Sequence, residues 1–257
     1  MAAPRESETA SPSGPPPPSR LRRLLTFPRR RPILFVILVA LIALAITPTV
    51  IVTRTFFIAH AAAMPNALPG KTWPDVQTDP AGCGAHSIHA VYRAYGLDVD
   101  RENVRWRLGI DTKAVFWLGT STGTLHPDMY MVLRQDGFDV QSMELGLDRS
   151  HDEILRHVDS GHLLILLIQR RQNGHLHWVA VDGREGDDYL VYDSLEKVPY
   201  RETREFTDRF VVTALALQPS GELRTGLWES IGHLLDGSKE LGRFRDRMKQ
   251  LGDGGTR

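Results

Sequence analysis

The sequence predicts an α+β domain, helices packed on a mostly antiparallel sheet, preceded by one transmembrane helix. Three observations predict it. Residues Ile33–Val52, "ILFVILVALIALAITPTVIV", form a run of twenty without a formal charge. Between Cys83 and Val158 the apolar residues recur at helical spacing, with caps and stops where helices need them. After Gly161 the pattern changes to short runs of Val, Leu, Ile and aromatics punctuated by Gly, Asp and Asn, the signature of strands. Helices first and strands afterwards indicate α+β rather than alternating α/β.

Residues 1–32 carry Arg5, Arg20, Arg22, Arg23, Arg29, Arg30 and Arg31 against Glu6 and Glu8, around "SPSGPPPPS". So polar and Pro-rich a stretch buries too little apolar surface to fold, and it reads as a disordered basic arm. Over the whole chain 31 basic residues balance 31 acidic ones, so no overall field points to nucleic acid.

Segment 33–53 is the expected membrane helix. Twenty residues at about 1.5 Å each span roughly 30 Å, a bilayer's hydrocarbon thickness. A core helix would be amphipathic, whereas this run is apolar on every side, and Pro48 near its end is tolerable in a membrane. The arginines precede it and only Arg54 and Lys71 follow closely, which puts the N-terminus in the cytoplasm and the remainder outside, anchored to the cell membrane by a single pass. A cleaved signal peptide is the competing reading, since "AHAAAM" at 59–64 offers small residues for cleavage. The apolar run exceeds the roughly 7–15 residues of a signal sequence, so an uncleaved anchor is expected.

Residues 54–72 read as a linker and 73–219 as the folded domain. "CGAHSIHAVYRA" is a helix with Gly96 as its stop; a second begins near Asp100 and ends by Gly109. "TLHPDMYMVLRQDG" has Pro127 just inside a start and Gly137 just past an end, and "SHDE" from Ser150 is a capping box. "HLLILLIQ", "HLHWVAVD", "DYLVYDS" and "RFVVTALALQP" are the strands, with a hairpin at "DGREGDD". In 220–257 an apolar stripe of Leu227, Ile231, Leu234, Leu235, Leu241, Phe244, Met248 and Leu251 alternates with basic residues. This is an amphipathic helix for docking on the domain or on a protein partner; a membrane-surface helix is the alternative. Gly226, Gly232, Gly237 and Gly242 should each weaken it by roughly 1 kcal/mol.

Cys83 is the single cysteine, so an intrachain disulfide is excluded, and a lone thiol in an exported domain is a candidate reactive group. A thiol attacks carbonyls as thiolate, which a helix N-terminus and a neighbouring imidazolium both favour. Cys83 opens its own helix after Gly82, and Gly84 leaves room beside it for a substrate backbone. Of the ten histidines, His60 and His233 lie outside the domain and His151, His157 and His162 surround one exposed-looking helix. His86 and His89 share the helix of Cys83 and point along it, while His126 sits in a loop and stays a candidate. His175 and His177 begin a strand, on one face, within reach of a helix start across a cleft. Asp193, at the end of the next strand, is placed to hold an imidazole in one tautomer. The Cys83 N–H and the amide of Gln77, six residues upstream, are candidate oxyanion donors. "FWLGTSTGT" at 116–124 is a candidate groove lining, with a plain surface loop as the alternative.

Gln77, then Cys83-Gly84, then "HWVAV…YLVYDS" with sixteen residues from His177 to Asp193, resembles the papain-like cysteine peptidases of the bacteriocin-processing, double-glycine-leader group. The resemblance runs from about Trp73 to Leu217 and takes in "AYGLDVDRENVRWRLG" and "GTLHPDMYMVLRQDGFDV" as that family's second and third helices. It implies a papain-like fold, Cys83 as nucleophile, His177 as base and acid, Asp193 as the group orienting the imidazole, Gln77 as oxyanion donor, a peptide or protein substrate and no cofactor. Ala85 and Ser194 stand where proline is common in that group. Leader-removing members are usually fused to a transporter with an ATPase, and this chain has no G-x-x-x-x-G-K-[ST] motif. The expected function is therefore a membrane-anchored cysteine peptidase. The alternatives are a peptide-binding module that does not cut, and a metal site built from Cys83, His86, His175 and His177.

Overall fold

The computed structural model describes residues 31–53, 63–72, 74–111, 123–143, 145 and 150–254. The expected basic arm, 1–30, and most of "FWLGTSTGT" lie outside them. The chain divides into two compact units, Met1–Thr49 and Val50–Arg257.

Helix α1, Pro32–Val52, coincides with the uncharged run and has no acidic residue in its first turn and no basic one in its last. Its side chains are described at 32–42 and 44–46 only; they are apolar, and Ile33, Val36 and Leu44 are among the most exposed. Among the described residues no helix is long and apolar enough to cross a membrane.

In the larger unit, helices α2 (Cys83–Ala94), α3 (Arg101–Arg107) and α4 (His126–Gln135) come first. Strand β1 (Phe138–Ser142) and helix α5 (Ser150–Asp159) follow, then β2 (Leu163–Gln169), β3 (Leu176–Glu185), β4 (Asp188–Tyr192) and β5 (Tyr200–Glu202). Helix α6 (Arg204–Phe210), strand β6 (Val211–Pro219) and helix α7 (Leu227–Gly254) come last among the described residues. The six strands form one sheet in the order β1-β6-β2-β3-β4-β5. Every pairing in it is antiparallel.

The sheet is covered on both faces, which explains why β2 is apolar throughout instead of alternating. Leu163, Ile165 and Leu167 pack with Ile88, Tyr92, Met129 and Leu133 of α2 and α4. Leu164, Leu166 and Ile168 pack with Ile154 and Leu155 of α5 and Phe206 of α6. Two expectations are corrected here. Arg209 and Phe210 end helix α6, and the strand begins only at Val211; Thr203 accepts from the Phe206 N–H and caps that helix. Residues 138–142, which follow the expected helix stop at Gly137 and lie outside the expected strands, form the edge strand β1. In the β3–β4 hairpin Gly186 takes φ 63° at the turn, and Gly183, at φ 108°, absorbs a register shift between Val181 and Arg184.

The segment expected as a linker is fastened to the domain where it is described. Asn66 N–H donates to Tyr95 O at 2.9 Å and Thr72 N–H to the Asp182 carboxylate at 2.8 Å. Helix α7 docks on its own domain, with Leu234, Phe244, Met248 and Leu251 against the core. Gln135 donates to Ser230 and Ser142 to Glu240, while buried Arg247 donates to carbonyls at the end of α6. Trp228 and Leu235 stay exposed. The glycines of α7 are not equivalent. A Cβ on Gly232 or Gly242 would meet open space, but on Gly237 it would come within 2.6 Å of Pro127 Cα. Gly237 is where α7 crosses the start of α4 backbone to backbone.

Candidate active site

Helix α2 begins at Cys83 with Gly82 as its N-cap, and no side chain caps it. The thiol is free and partly buried. Asp79 shapes the approach: its carboxylate accepts from Ala81 N–H at 3.0 Å and lies under Gly82, where a Cβ would come within 3.0 Å of its carboxyl carbon. Beside Gly84 the room expected for a substrate backbone is taken by Thr124, whose own Cβ a Cβ on Gly84 would approach to 2.5 Å. Thr124 O in turn accepts from the Trp178 indole at 3.0 Å. Gly84 therefore permits close packing of this loop on α2.

At the start of β3, His177 is buried and His175, one residue before the strand, is exposed. The His177 Nε2 lies 2.6 Å from Asp193 Oδ1. Asp193 is buried just past β4, where its Oδ1 also accepts from Leu195 N–H at 2.8 Å and its Oδ2 from the Tyr200 hydroxyl at 3.3 Å. Cys83 lines the same cavity as His177 and is, after Asp193, the second group that acts on its imidazole. Burial alone would pull the His177 pKa down, but the bonds to Asp193 and Cys83 and their charges outweigh it and raise it from 6.5 to about 9. Burial opposes the charge on Asp193, and the His177 bond overcomes it, holding the carboxyl below its usual range.

Gln77 lines the same cavity as Cys83 and His177, a space of about 330 Å³. Its backbone N–H donates to Ser194 O at 2.7 Å, and its Oε1 accepts from the Ser194 hydroxyl at 2.9 Å. Its Nε2 donates to Asp79 O, which fixes which end of the amide is nitrogen. An amide nitrogen has two hydrogens, so one donor remains beyond that bond. Ser194, one of the two departures from the resembled family's pattern, thus clamps Gln77 from the residue next to Asp193. Sequence reading missed that role; the available signal was a hydroxyl beside Asp193 where the family commonly has proline.

The histidines on α2 do something else. His86 Nδ1 and His89 Nδ1 lie 3.0 and 2.9 Å from Asp75 Oδ2. Burial resists the Asp75 charge, and bonds from both histidines overcome it and hold the carboxyl far below its usual range. Arg105 meets Asp79 at 2.8 Å. These contacts bind the irregular stretch 74–79, which carries Gln77, to α2 and α3. Of the residues considered for a metal site, Cys83, His175 and His177 line one cavity, whereas His86 faces Asp75. Among the described residues no group of three His, Cys, Asp or Glu side chains is arranged to hold a metal ion. His126, the loop candidate, is buried beside Trp178 with ring centroids 5.5 Å apart. Of "FWLGTSTGT", Gly123 and Thr124 line a cavity with Cys83.

No protein-family model matches the chain. No curated protein matches it either. Among solved structures it is similar to a double glycine motif protease from an AMS/PCAT transporter in complex with the leader peptide, at 17% identity over 61% of this chain and 99% of that one, TM-score 0.45. It is also similar to the peptidase domain of Streptococcus ComA, a bifunctional ABC transporter of a quorum-sensing pathway, at 17% identity over 58% and 99%, TM-score 0.44. A C39-like peptidase from Bacillus anthracis matches at 11% identity over 64% and 100%, TM-score 0.43. Each of these three is a peptidase or a peptidase domain.

Proposed function

We propose that the protein is a membrane-anchored cysteine peptidase that cleaves a peptide bond by acyl transfer through Cys83. One observation carries this reading: the His177 ring bonds to a buried Asp193 and shares a cavity with the only thiol of the chain, at a helix start. The Cys83 thiolate bonds to the carbonyl carbon, and the resulting oxyanion is met by the Cys83 N–H and the Gln77 amide. His177 as imidazolium gives its proton to the amine nitrogen as the C–N bond breaks. Water then attacks the thioester carbonyl, His177 takes one proton from it, and the C–S bond breaks to release the carboxylic acid, which gives its proton to solvent, and to restore the thiolate–imidazolium pair. Peptides from a proteome digest, incubated with the protein, should gain new termini that are absent with Cys83→Ala. Peptides retained by both forms without new termini would instead identify a binding module.

Two further outcomes follow from the geometry. His177 must be protonated for the leaving-group step, and its pKa is raised to about 9, so activity is expected to persist below that value and fall as pH rises through it. Asp193→Asn should move this alkaline limb to lower pH, because the carboxylate helps hold the proton; a pH–rate profile with the limb unmoved would contradict the assignment. Ser194→Ala frees the Gln77 carbonyl to rotate. Losing one orienting hydrogen bond of about 1 kcal/mol is expected to lower kcat roughly five-fold with little change in KM, and Ser194→Thr should restore it.

The anchor is supported by the uncharged run 33–52 behind an arginine-rich flank. With that orientation the peptidase domain lies outside the cytoplasm. External protease should then digest 73–219 in spheroplasts without lysis; digestion only after lysis would reverse the topology.

A further inference from the structure

Cys83 also borders a second cavity, of about 150 Å³, that neither Gln77 nor His177 lines. Leu167 and Trp178 of the sheet, His126 of α4, and Leu241 and Phe244 of α7 form its walls. A cavity of about this size with apolar walls takes a benzene-sized group. His126 is 4% exposed, and its Nε2 is buried without a hydrogen-bond partner. Burial, opposed weakly by Glu240, lowers the His126 pKa to about 4, so the ring is neutral and open to a hydroxyl rather than to an ion. An unpaired buried nitrogen is costly and calls for an explanation.

The side of the thiol is fixed by chemistry. His177 protonates the leaving nitrogen, so the leaving half of the substrate lies over the cavity that His177 lines. The acyl half falls on the other side of Cys83. We propose that the second cavity is a subsite for an aromatic side chain of the acyl half, close to the scissile bond, with a tyrosine hydroxyl pairing with His126 Nε2. The subsite rests on the peptidase reading above, and its outer wall is this chain's own C-terminal helix, held in place by the contact of Gly237 with Pro127.

Two series of acetyl-dipeptidyl acyloxymethyl ketones, varying the first or the second residue through Gly, Leu, Phe and Tyr, test it by the rate of Cys83 labelling read from intact mass. In one series Phe and Tyr are expected to label about 30-fold faster than Gly, with Tyr ahead of Phe by about five-fold. His126→Leu should erase the lead of Tyr over Phe. Phe244→Trp, which narrows the cavity, and Gly237→Leu, which lifts α7 from α4, should each weaken the aromatic preference. Gly237, outside the cavity wall, is the control: Gly237→Leu should leave iodoacetamide labelling of Cys83 at the wild-type rate, which also reports that the fold around Cys83 is kept. Flat labelling across both series overturns the subsite alone, provided that His177→Ala slows iodoacetamide. An aromatic preference untouched by Phe244→Trp and Gly237→Leu places it elsewhere. Labelling that ignores His177→Ala overturns the peptidase reading and the subsite with it.

Discussion

Alkylation of Cys83 by iodoacetamide at pH 7 is expected to slow about ten-fold in His177→Ala, while the fold is retained. An isolated thiol is only about 3% thiolate at that pH. A neighbouring imidazolium favours the reactive thiolate, so deleting the imidazole withdraws that support. A more basic thiolate is intrinsically more nucleophilic, which returns part of that loss. Peptide cleavage should suffer far more, by about 10³-fold or beyond, because His177 also protonates the leaving amine. Asp193→Asn should fall between the two, since it leaves a hydrogen-bonding group against Nε2 but removes the charge. The contrast is with a buried filler cysteine, whose alkylation would depend on exposure and not on His177. Equal rates in the wild type and His177→Ala would sink the nucleophile assignment.

What the sequence made legible follows from where each signal is stored. Helix and strand ends offered Cys83, His175 or His177, and Asp193, and the family resemblance singled out His177 and added Gln77 to the set; the structure sets Gln77, Cys83 and His177 around one cavity, with Asp193 bonded to His177. Strand β1 was not legible, since "FDVQS" is a five-residue edge whose alternate residues face solvent. Helix α6 was missed because "REFTDRF" is short and merges with the apolar run of β6. The roles of His86 and His89 depend on Asp75, a tertiary contact across a loop that no local periodicity encodes. In α7 the apolar stripe was legible but not its docking face. Gly237, read as a weak point, marks that face, because only a residue without a side chain lets α7 lie on Pro127.

The largest stability effect is expected at a pair remote from the thiol. Arg107, the last residue of α3, and Asp136, just past α4, are both fully buried, with guanidinium-to-carboxylate distances of 2.7 and 2.8 Å. The Tyr92 hydroxyl donates to the same carboxylate at 2.6 Å, and Gln135 Oε1 accepts from Arg107 at 3.1 Å. Three helices therefore converge on one desolvated carboxylate. Asp136→Ala would strand a buried cation and a buried phenol, which typically costs about 3–5 kcal/mol. In a domain of this size that corresponds to a fall in Tm of about 10 °C. Replacing both partners, Arg107→Met with Asp136→Leu, removes the stranded charge as well as the bond, so the double variant should melt above Asp136→Ala. A double variant melting no higher than Asp136→Ala, or Asp136→Ala melting within a degree or two of the wild type, would mean the pair does not hold the helices together. The consequence reaches the site because α4 runs from His126, in the wall of the cavity beside Cys83, to Gln135, next to this pair. Loosening its C-terminal end should therefore blunt the labelling preference for aromatic groups before it affects iodoacetamide labelling of Cys83, whose helix start is held separately by Asp79 and Thr124.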